Sequence, residues 1–256
     1  YIITSVIESF RKCSLYAYDT TTLDSVFVIR YRDCIQKNIP NFNFDKFKMG
    51  RFNETKVFLP MKSDYDQTNC NWLTVGIGGD TRVEKEFKEK YPGCKVYGVE
   101  ASPDQYLNFA DYGTIIPFGV AVTNGSFELT IRKSHQYVKK DVTVLAMANL
   151  LDQFIGTRII HYMTIDIEGF EYSILEQLPR GKILAEQGII FCQIDAELHH
   201  FKKEKTKIKN FLHQFDSENS DYIPVYSAPF LSHQKITFVN FKNKECLEAF
   251  DFSKLY

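Results

Sequence analysis

The stretch Trp72-Leu73-Thr74-Val75-Gly76-Ile77-Gly78-Gly79-Asp80-Thr81-Arg82-Val83-Glu84 decides the fold. It opens on a short apolar run of strand length that ends in glycines. Gly78-Gly79-Asp80 turns the chain, and Thr81-Arg82-Val83-Glu84 has the capping-box spacing that starts a helix. Val83, Phe87 and Tyr91 then fall on one helical face, and Pro92-Gly93 stops it. Strand, glycine turn and helix in that order begin a βαβ unit and predict a parallel sheet.

The alternation continues downstream. Lys95–Val99 is the second strand, with Glu100 at its carboxyl end. Ser102-Pro103-Asp104-Gln105 predicts another capped helix, with Pro at its first position. Thr114–Phe118 is a third strand. Val120-Ala121-Val122 and Phe127–Ile131 flank Asn124-Gly125, which predicts a hairpin between them. Met147–Ile155 reads as a helix stopped by Gly156, His161–Asp166 as a strand, Tyr172–Leu178 as a helix and Gly188–Ile194 as the next strand. Residues 201–215 form an amphipathic helix, and Tyr222–Tyr226 with Ile236–Phe241 an antiparallel edge hairpin. Residues 1–70 lack a clean period and read as an irregular N-terminal cap, with a helix or two, packed on an α/β domain over 71–256.

Of the 256 residues, 44% are hydrophobic and 15% aromatic, which supplies a large core and excludes a disordered chain. The net charge of −1 provides no basic field for a nucleic acid, so no nucleic-acid partner is expected. Lys202, Lys203, Lys205, Lys207 and Lys209 crowd one segment, but Glu204 interrupts them and they read as a solvated helix face. No apolar run approaches the 18 or so residues of a membrane span. The chain starts at Tyr1 rather than Met, which reads as a processed form or a fragment; a signal peptide or membrane anchor ahead of it fits this reading. Asn53-Glu54-Thr55 and Asn124-Gly125-Ser126 are glycosylation triplets. The six cysteines contain no Cys-x-x-Cys pair, which argues against a structural zinc site; disulfides and free thiols explain them equally. These features lean to a secretory-pathway lumen or a secreted protein, with a cytoplasmic one as the alternative.

In an open α/β sheet the ligand sits outside the carboxyl ends of the strands. The first strand there offers Gly76-Ile77-Gly78-Gly79-Asp80, and the second offers Glu100, suited to both hydroxyls of a ribose. Together they point to an adenosine-type cofactor. A dinucleotide fingerprint would need a third glycine at Thr81, and no Gly-Lys-Ser/Thr follows to make a P-loop. S-adenosyl-L-methionine carries no phosphate and suits the loop better. Asp166 and Glu168 end the next strand, where they could orient the cofactor's ammonium end, bind a divalent cation or polarise a substrate hydroxyl. Asp195, Glu197 and His199 share a face if their strand stays extended. A near-neutral His199 would then serve as general base for an alcohol. His213 and His233 are isolated and read as structural.

Four segments carry a family resemblance: Val75–Asp80, Val96–Pro103, Gly119–Leu129 and Met163–Glu171. Together they resemble the FkbM-type S-adenosylmethionine-dependent methyltransferases over about Trp72 to His199. The last segment, Met-Thr-Ile-Asp-Ile-Glu-Gly-Phe-Glu, is similar to the family's Lys-x-Asp-x-Glu-Gly-x-Glu signature and is the most specific. The resemblance implies a Rossmann-like class I methyltransferase, with a seven-stranded, mainly parallel sheet and an antiparallel C-terminal strand. It implies O-methylation, with sugar or polyketide hydroxyls as common acceptors; a hydroxyl of a glycan or related small molecule is the acceptor expected here. It carries Gly76, Gly78, Gly79 and Asp80 over as the cofactor loop, Glu100 as the ribose ligand with Ala101 beside it, Gly119, Val120 and Ala121 near adenine, and Asp166 at the methionine end. Glu168, Glu197 and His199, with Asp166, make up the catalytic side. The family's Asp-x-Gly-Ala-Asn loop is altered: Gly76 replaces the leading Asp, Gly79-Asp80 replaces Ala-Asn, and Met163 stands where Lys is common. The competing readings are a catalytically inactive binding module on the same scaffold and a nucleotide-dependent oxidoreductase, which Thr81 disfavours.

Overall fold

The computed structural model describes residues 2–51, 54–133, 136–199 and 206–255. The chain opens with helices Ile2–Asp19 (α1) and Asp24–Asn38 (α2), then a hairpin of Lys48–Arg51 (β1) and Glu54–Val57 (β2). The alternating region follows as Asn71–Val75 (β3), Arg82–Lys90 (α3), Lys95–Val99 (β4) and Thr114–Ile116 (β5). Next come Gly119–Ala121 (β6), Gly125–Lys133 (β7), Gln136–Ala146 (β8) and Met147–Leu150 (α4). Ile159–Ile165 (β9), Glu171–Leu175 (α5), Ile183–Glu186 (α6) and Ile190–Leu198 (β10) continue the core. Lys207–Phe215 (α7), Tyr222–Phe230 (β11), His233–Asn240 (β12) and Lys244–Ala249 (α8) complete it.

Seven strands form the main sheet in the order β11-β12-β10-β9-β3-β4-β5. β5, β4, β3, β9 and β10 run parallel, while β12 is antiparallel to both β10 and β11. Every residue of β3 is buried, as expected of a strand covered on both faces. Its Trp72 indole donates to Thr164 Oγ1 at 3.2 Å, and Thr164 in turn donates to Thr74 Oγ1 at 2.9 Å, so the polar atoms of the sheet centre are satisfied. β3 has β4 on one side and β9 on the other. The chain reverses its direction of growth there, at the position where α/β sheets open a crevice.

Three local expectations are corrected. Asn124-Gly125 does not join a hairpin of its two flanking runs. β7 pairs instead with β8 over nine residue pairs, and β6 lies parallel on the far side of β8. The longer ladder wins over the local turn signal. Thr81 occupies the cap position of α3 but its side chain does not cap it: the hydroxyl donates to Asn108 Oδ1, and Asp80 Oδ1 accepts the Arg82 N–H instead. Ser102 does not cap a helix either, because Pro103–Gln105 is only a single 3₁₀ turn. The predicted 201–215 helix is seen from Lys207; residues 201–205 and Asn53 lie outside the described residues. Asn124 Oδ1 accepts the Ala146 N–H at 2.7 Å.

The N-terminal segment is fastened by buried polar groups. Asp24 accepts the N–H groups of Ile208 and Lys209 at 3.0 and 2.9 Å, satisfying the first turn of α7. Gln193 clasps the Leu59 backbone on both its N–H and its C=O, and Asp195 Oδ2 accepts the Val57 N–H at 2.9 Å. These two β10 side chains act as a substitute strand edge and lay residues 57–59 across the sheet. The six cysteines pair as Cys13–Cys34, Cys70–Cys94 and Cys192–Cys246. No described helix is long and apolar enough to cross a membrane.

Two predictions follow from these contacts. The disulfides span sequence separations of 21, 24 and 54 residues, each worth about 3–4 kcal/mol by constraint of the unfolded chain. Reduction should therefore lower the thermal midpoint by well over ten degrees, roughly; an unchanged midpoint in reductant would contradict the pairing. Asp216 is buried beside Ser14, Tyr31 and Arg11, and burial pushes its carboxyl up to about 7. The native state thus keeps a proton that the unfolded chain releases near pH 4, roughly. Stability from this group is present at low pH and lost as pH rises towards 7. Asp216→Asn should flatten that slope by about 3 kcal/mol between about pH 5 and about pH 8 in urea titrations.

Candidate active site

Three strand ends meet at Gly76. Its N–H donates to Val99 O at 2.9 Å, and the Asp166 N–H donates to Val75 O at 3.0 Å. Gly76 has φ +90°, and a Cβ built there would collide with the Asp166 carbonyl oxygen. Glycine is therefore required where the family pattern has Asp. Gly78, at φ +70°, has nothing within 4 Å of its Cβ position and opens onto the crevice.

The crevice has a volume of about 370 Å³. Gly76, Gly78, Asp80, Glu100, Ala101, Gly119 and Val120 line one part of it, and Asp166, Glu168, Glu197 and His199 another. The structure thus brings together most of the expected residues. Gly79 and Ala121 do not line it: Gly79 packs against Gln105, and Ala121 against the small apolar cluster of Ile131, Val142 and Val144. Glu100 Oε1 accepts the Ser102 N–H at 2.8 Å. Burial raises its carboxyl above the usual range, against the pull of the N–H groups of Ser102, Gly78, Ile77 and Ala101. Asp80 bonds Arg51 Nε at 3.2 Å as well as the Arg82 N–H.

The charged end is built around His199, which directly follows β10. Its Nδ1–H donates to Glu171 Oε1 at 2.7 Å. Glu171 is fully buried, and the same oxygen accepts the N–H groups of Ile167 and Gly169 at 2.8 and 3.2 Å. Nε2 faces Asp166 Oδ1 at 3.5 Å, Glu168 Oε2 at 3.8 Å and Glu197 Oε1 at 3.9 Å. Glu168 sits at φ +57°, a left-handed backbone that non-glycine residues adopt at a cost, as is common at functional sites.

The near-neutral histidine expected here is corrected. Burial alone would lower the His199 pKa, but the hydrogen bond to Glu171 and the charges of Glu171, Asp166 and Glu168 outweigh it and push it up to about 9. Burial, reinforced by Asp166 and opposed by Lys235, His199 and Lys56, pushes Glu197 up to about 7. Asp195 shares the face but holds the Val57 backbone and the Thr237 hydroxyl, away from the crevice lining.

Sequence reasoning missed several groups. Lys56, Glu84 and His233 also line the crevice, and Lys235 approaches Glu197 Oε2 at 3.7 Å. Lys56 arrives on the segment clasped by Gln193 and Asp195, a long-range contact with no local signal. Glu84 had one: it lies three residues from Phe87 on the buried face of α3, where a carboxylate is out of place. Burial pushes it up to about 7. His233 is not an isolated structural residue, since its ring lies 4.2 Å from that of His199. His213 stacks on Tyr18, outside this crevice. Tyr137, Phe170, Phe230 and Leu231 form an apolar rim, with Leu231 82% exposed.

A mainly parallel α/β sheet with a glycine turn, an acidic strand end and a crevice at its switch point defines a Rossmann-like protein. The chain belongs to the FkbM methyltransferase family: the pattern described as Methyltransferase FkbM domain matches residues 33–223. That is wider than the Trp72–His199 span of the motifs and takes in the β1–β2 hairpin that delivers Lys56. No curated protein matches the chain. Its general class is that of a methyltransferase, as the motifs led us to expect.

Gly76→Ala should destabilise the protein by about 3 kcal/mol or more, because backbone strain and overpacking add. Gly78→Ala meets only the left-handed backbone penalty of about 1–2 kcal/mol. Equal losses for the two in urea melts would contradict this account of the turn.

Proposed function

We propose that the protein is a class I, S-adenosyl-L-methionine-dependent O-methyltransferase acting on a hydroxyl of a glycan or related small molecule. One observation carries this reading: Glu100 ends β4 on the same crevice as the Gly76–Asp80 turn, one strand from the switch point. The antiparallel β12 between β10 and β11 supports the class I assignment.

The residues fit the cofactor. Gly78 leaves open space against the crevice, and Thr81 is turned to Asn108 where a pyrophosphate binder would need a third glycine. Asp166 on the same crevice suits the ammonium of the cofactor's amino-acid end. When bound, S-adenosylmethionine supplies an electrophilic methyl group on a sulfonium. Glu100 would hold the ribose hydroxyls, Gly119 and Val120 would flank the adenine, and Asp166 would take the ammonium. Glu168, Glu197 and His199 would hold the acceptor oxygen, and Glu197, rather than the already protonated His199, would draw off its proton as it attacks. The aromatic rim of Tyr137, Phe170 and Phe230 suits stacking on a sugar ring. Three disulfides support an oxidising compartment, the secretory lumen or outside the cell. Gly76 in place of the family's Asp favours a second reading, a binding module without transfer.

Calorimetric titration with S-adenosylmethionine and S-adenosylhomocysteine tests the proposal. Micromolar binding should weaken roughly 10- to 100-fold in Glu100→Ala, the loss of charge-assisted hydrogen bonds. A folded protein that binds neither compound overturns the reading. Binding without methyl transfer to any glycan hydroxyl selects the binding module.

A further inference from the structure

We propose that the floor of the crevice is a site for one divalent transition-metal ion, with Glu197, His199 and His233 as its ligands. Ligand atoms of these three side chains lie within 4.8 Å of one another. Bonds of about 2.0–2.2 Å from nitrogen and oxygen to such an ion place neighbouring ligands about 3.0–3.5 Å apart. Shifts of an ångström or less therefore close the set around an ion.

The surroundings of His199 give the second observation. A ligating histidine donates its other ring N–H to a carboxylate or carbonyl, which fixes the tautomer and aims the ligand nitrogen. His199 Nδ1 does so to Glu171 Oε1 at 2.7 Å, and Glu171 is itself fixed by two backbone N–H groups. Nε2 is thereby aimed at three carboxylate oxygens 3.5 to 3.9 Å away. These are longer than a usual N–H···O bond of about 2.7–3.2 Å and close to the spacing of ligands across a metal. Glu197 divides its oxygens: Oε2 approaches Lys235 at 3.7 Å and Oε1 approaches His199 at 3.9 Å. Glu197 and His199 are buried, while Asp166 and Glu168 are partly exposed on the crevice side. Two of the three ligands are thus buried behind the ion, and the partly exposed His233 joins them from the crevice lining.

Two imidazoles and one carboxylate select zinc, manganese or iron over magnesium and calcium, which prefer all-oxygen sites. The site shares Glu197 and His199 with the acceptor side of the proposed methyltransferase, while Glu100, the ribose ligand of that reading, lies at another strand end.

Chelator-treated protein titrated calorimetrically with Zn²⁺ and, separately, with Mg²⁺ tests this. The expected result is one Zn²⁺ per chain with micromolar or tighter affinity, and Mg²⁺ at least about 100-fold weaker. His233→Ala and Glu197→Gln should each weaken Zn²⁺ binding more than about tenfold with an unchanged far-ultraviolet spectrum. Co²⁺ should give the visible absorption bands of a low-symmetry site. Glu100→Ala should bind Zn²⁺ normally, which separates failure here from failure of the methyltransferase reading. No Zn²⁺ uptake by folded protein overturns the proposal, as does uptake that neither ligand variant weakens, or Mg²⁺ binding as tight as Zn²⁺.

Discussion

The packing of Gly76 on the carbonyl of Asp166 governs the architecture of the site. Two backbone hydrogen bonds, Gly76 to Val99 and Asp166 to Val75, stitch the ends of β3, β4 and β9 together at one level. This leaves the turn no room for a side chain at Gly76. It also brings Glu100 and Asp166, from strands on either side of β3, into one crevice. Because all three strand ends share backbone bonds, a displacement at any one of them would move residues on both sides of the crevice.

A second constraint comes from β10. Its alternate residues Gln193, Asp195 and Glu197 point the same way, but they do different work. The first two bond backbone groups of Val57 and Leu59, Asp195 also accepting the Thr237 hydroxyl; the third lines the crevice. The N-terminal segment is thus part of how the site is assembled, because its placement puts Lys56 against the acids. Its buried residues belong to the same continuous hydrophobic core as those of the central strands.

What was legible in the sequence follows from locality. Gly76 to Asp80, Glu100, Asp166 and Glu168 each lie at or next to the end of an apolar run, so strand–turn reading found them. Glu197 and His199 were legible once the strand was taken to stay extended. Lys56 and His233 were not, because only long-range packing brings them in. Thr81 was misread for a physical reason: Glu84, the reciprocal half of its capping box, faces the buried side of α3 and the crevice. The Asn124-Gly125 signal lost to a ladder three times as long as the β6–β8 pairing. The protonation of His199 was beyond reach, since it depends on Glu171, 28 residues away in the chain, in hydrogen-bond contact.

Electrostatics link the two proposed occupants of the crevice. Five acids, Glu84, Asp166, Glu168, Glu171 and Glu197, surround or line its charged end, against the cations Lys56, Lys235 and His199. In a partly buried setting such an excess of carboxylates is costly unless positive charge enters. The protein's own answer is visible in the rise of Glu84 and Glu197 to about 7 and of His199 to about 9: the acids keep protons and the imidazole gains one. S-adenosylmethionine, whose sulfonium leaves it with one net positive charge after its ammonium and carboxylate cancel, or a divalent ion would relieve the same imbalance from outside. The excess negative charge at the strand ends therefore favours cationic ligands over phosphorylated ones, consistent with a glycine turn that lacks the third glycine of a pyrophosphate cradle.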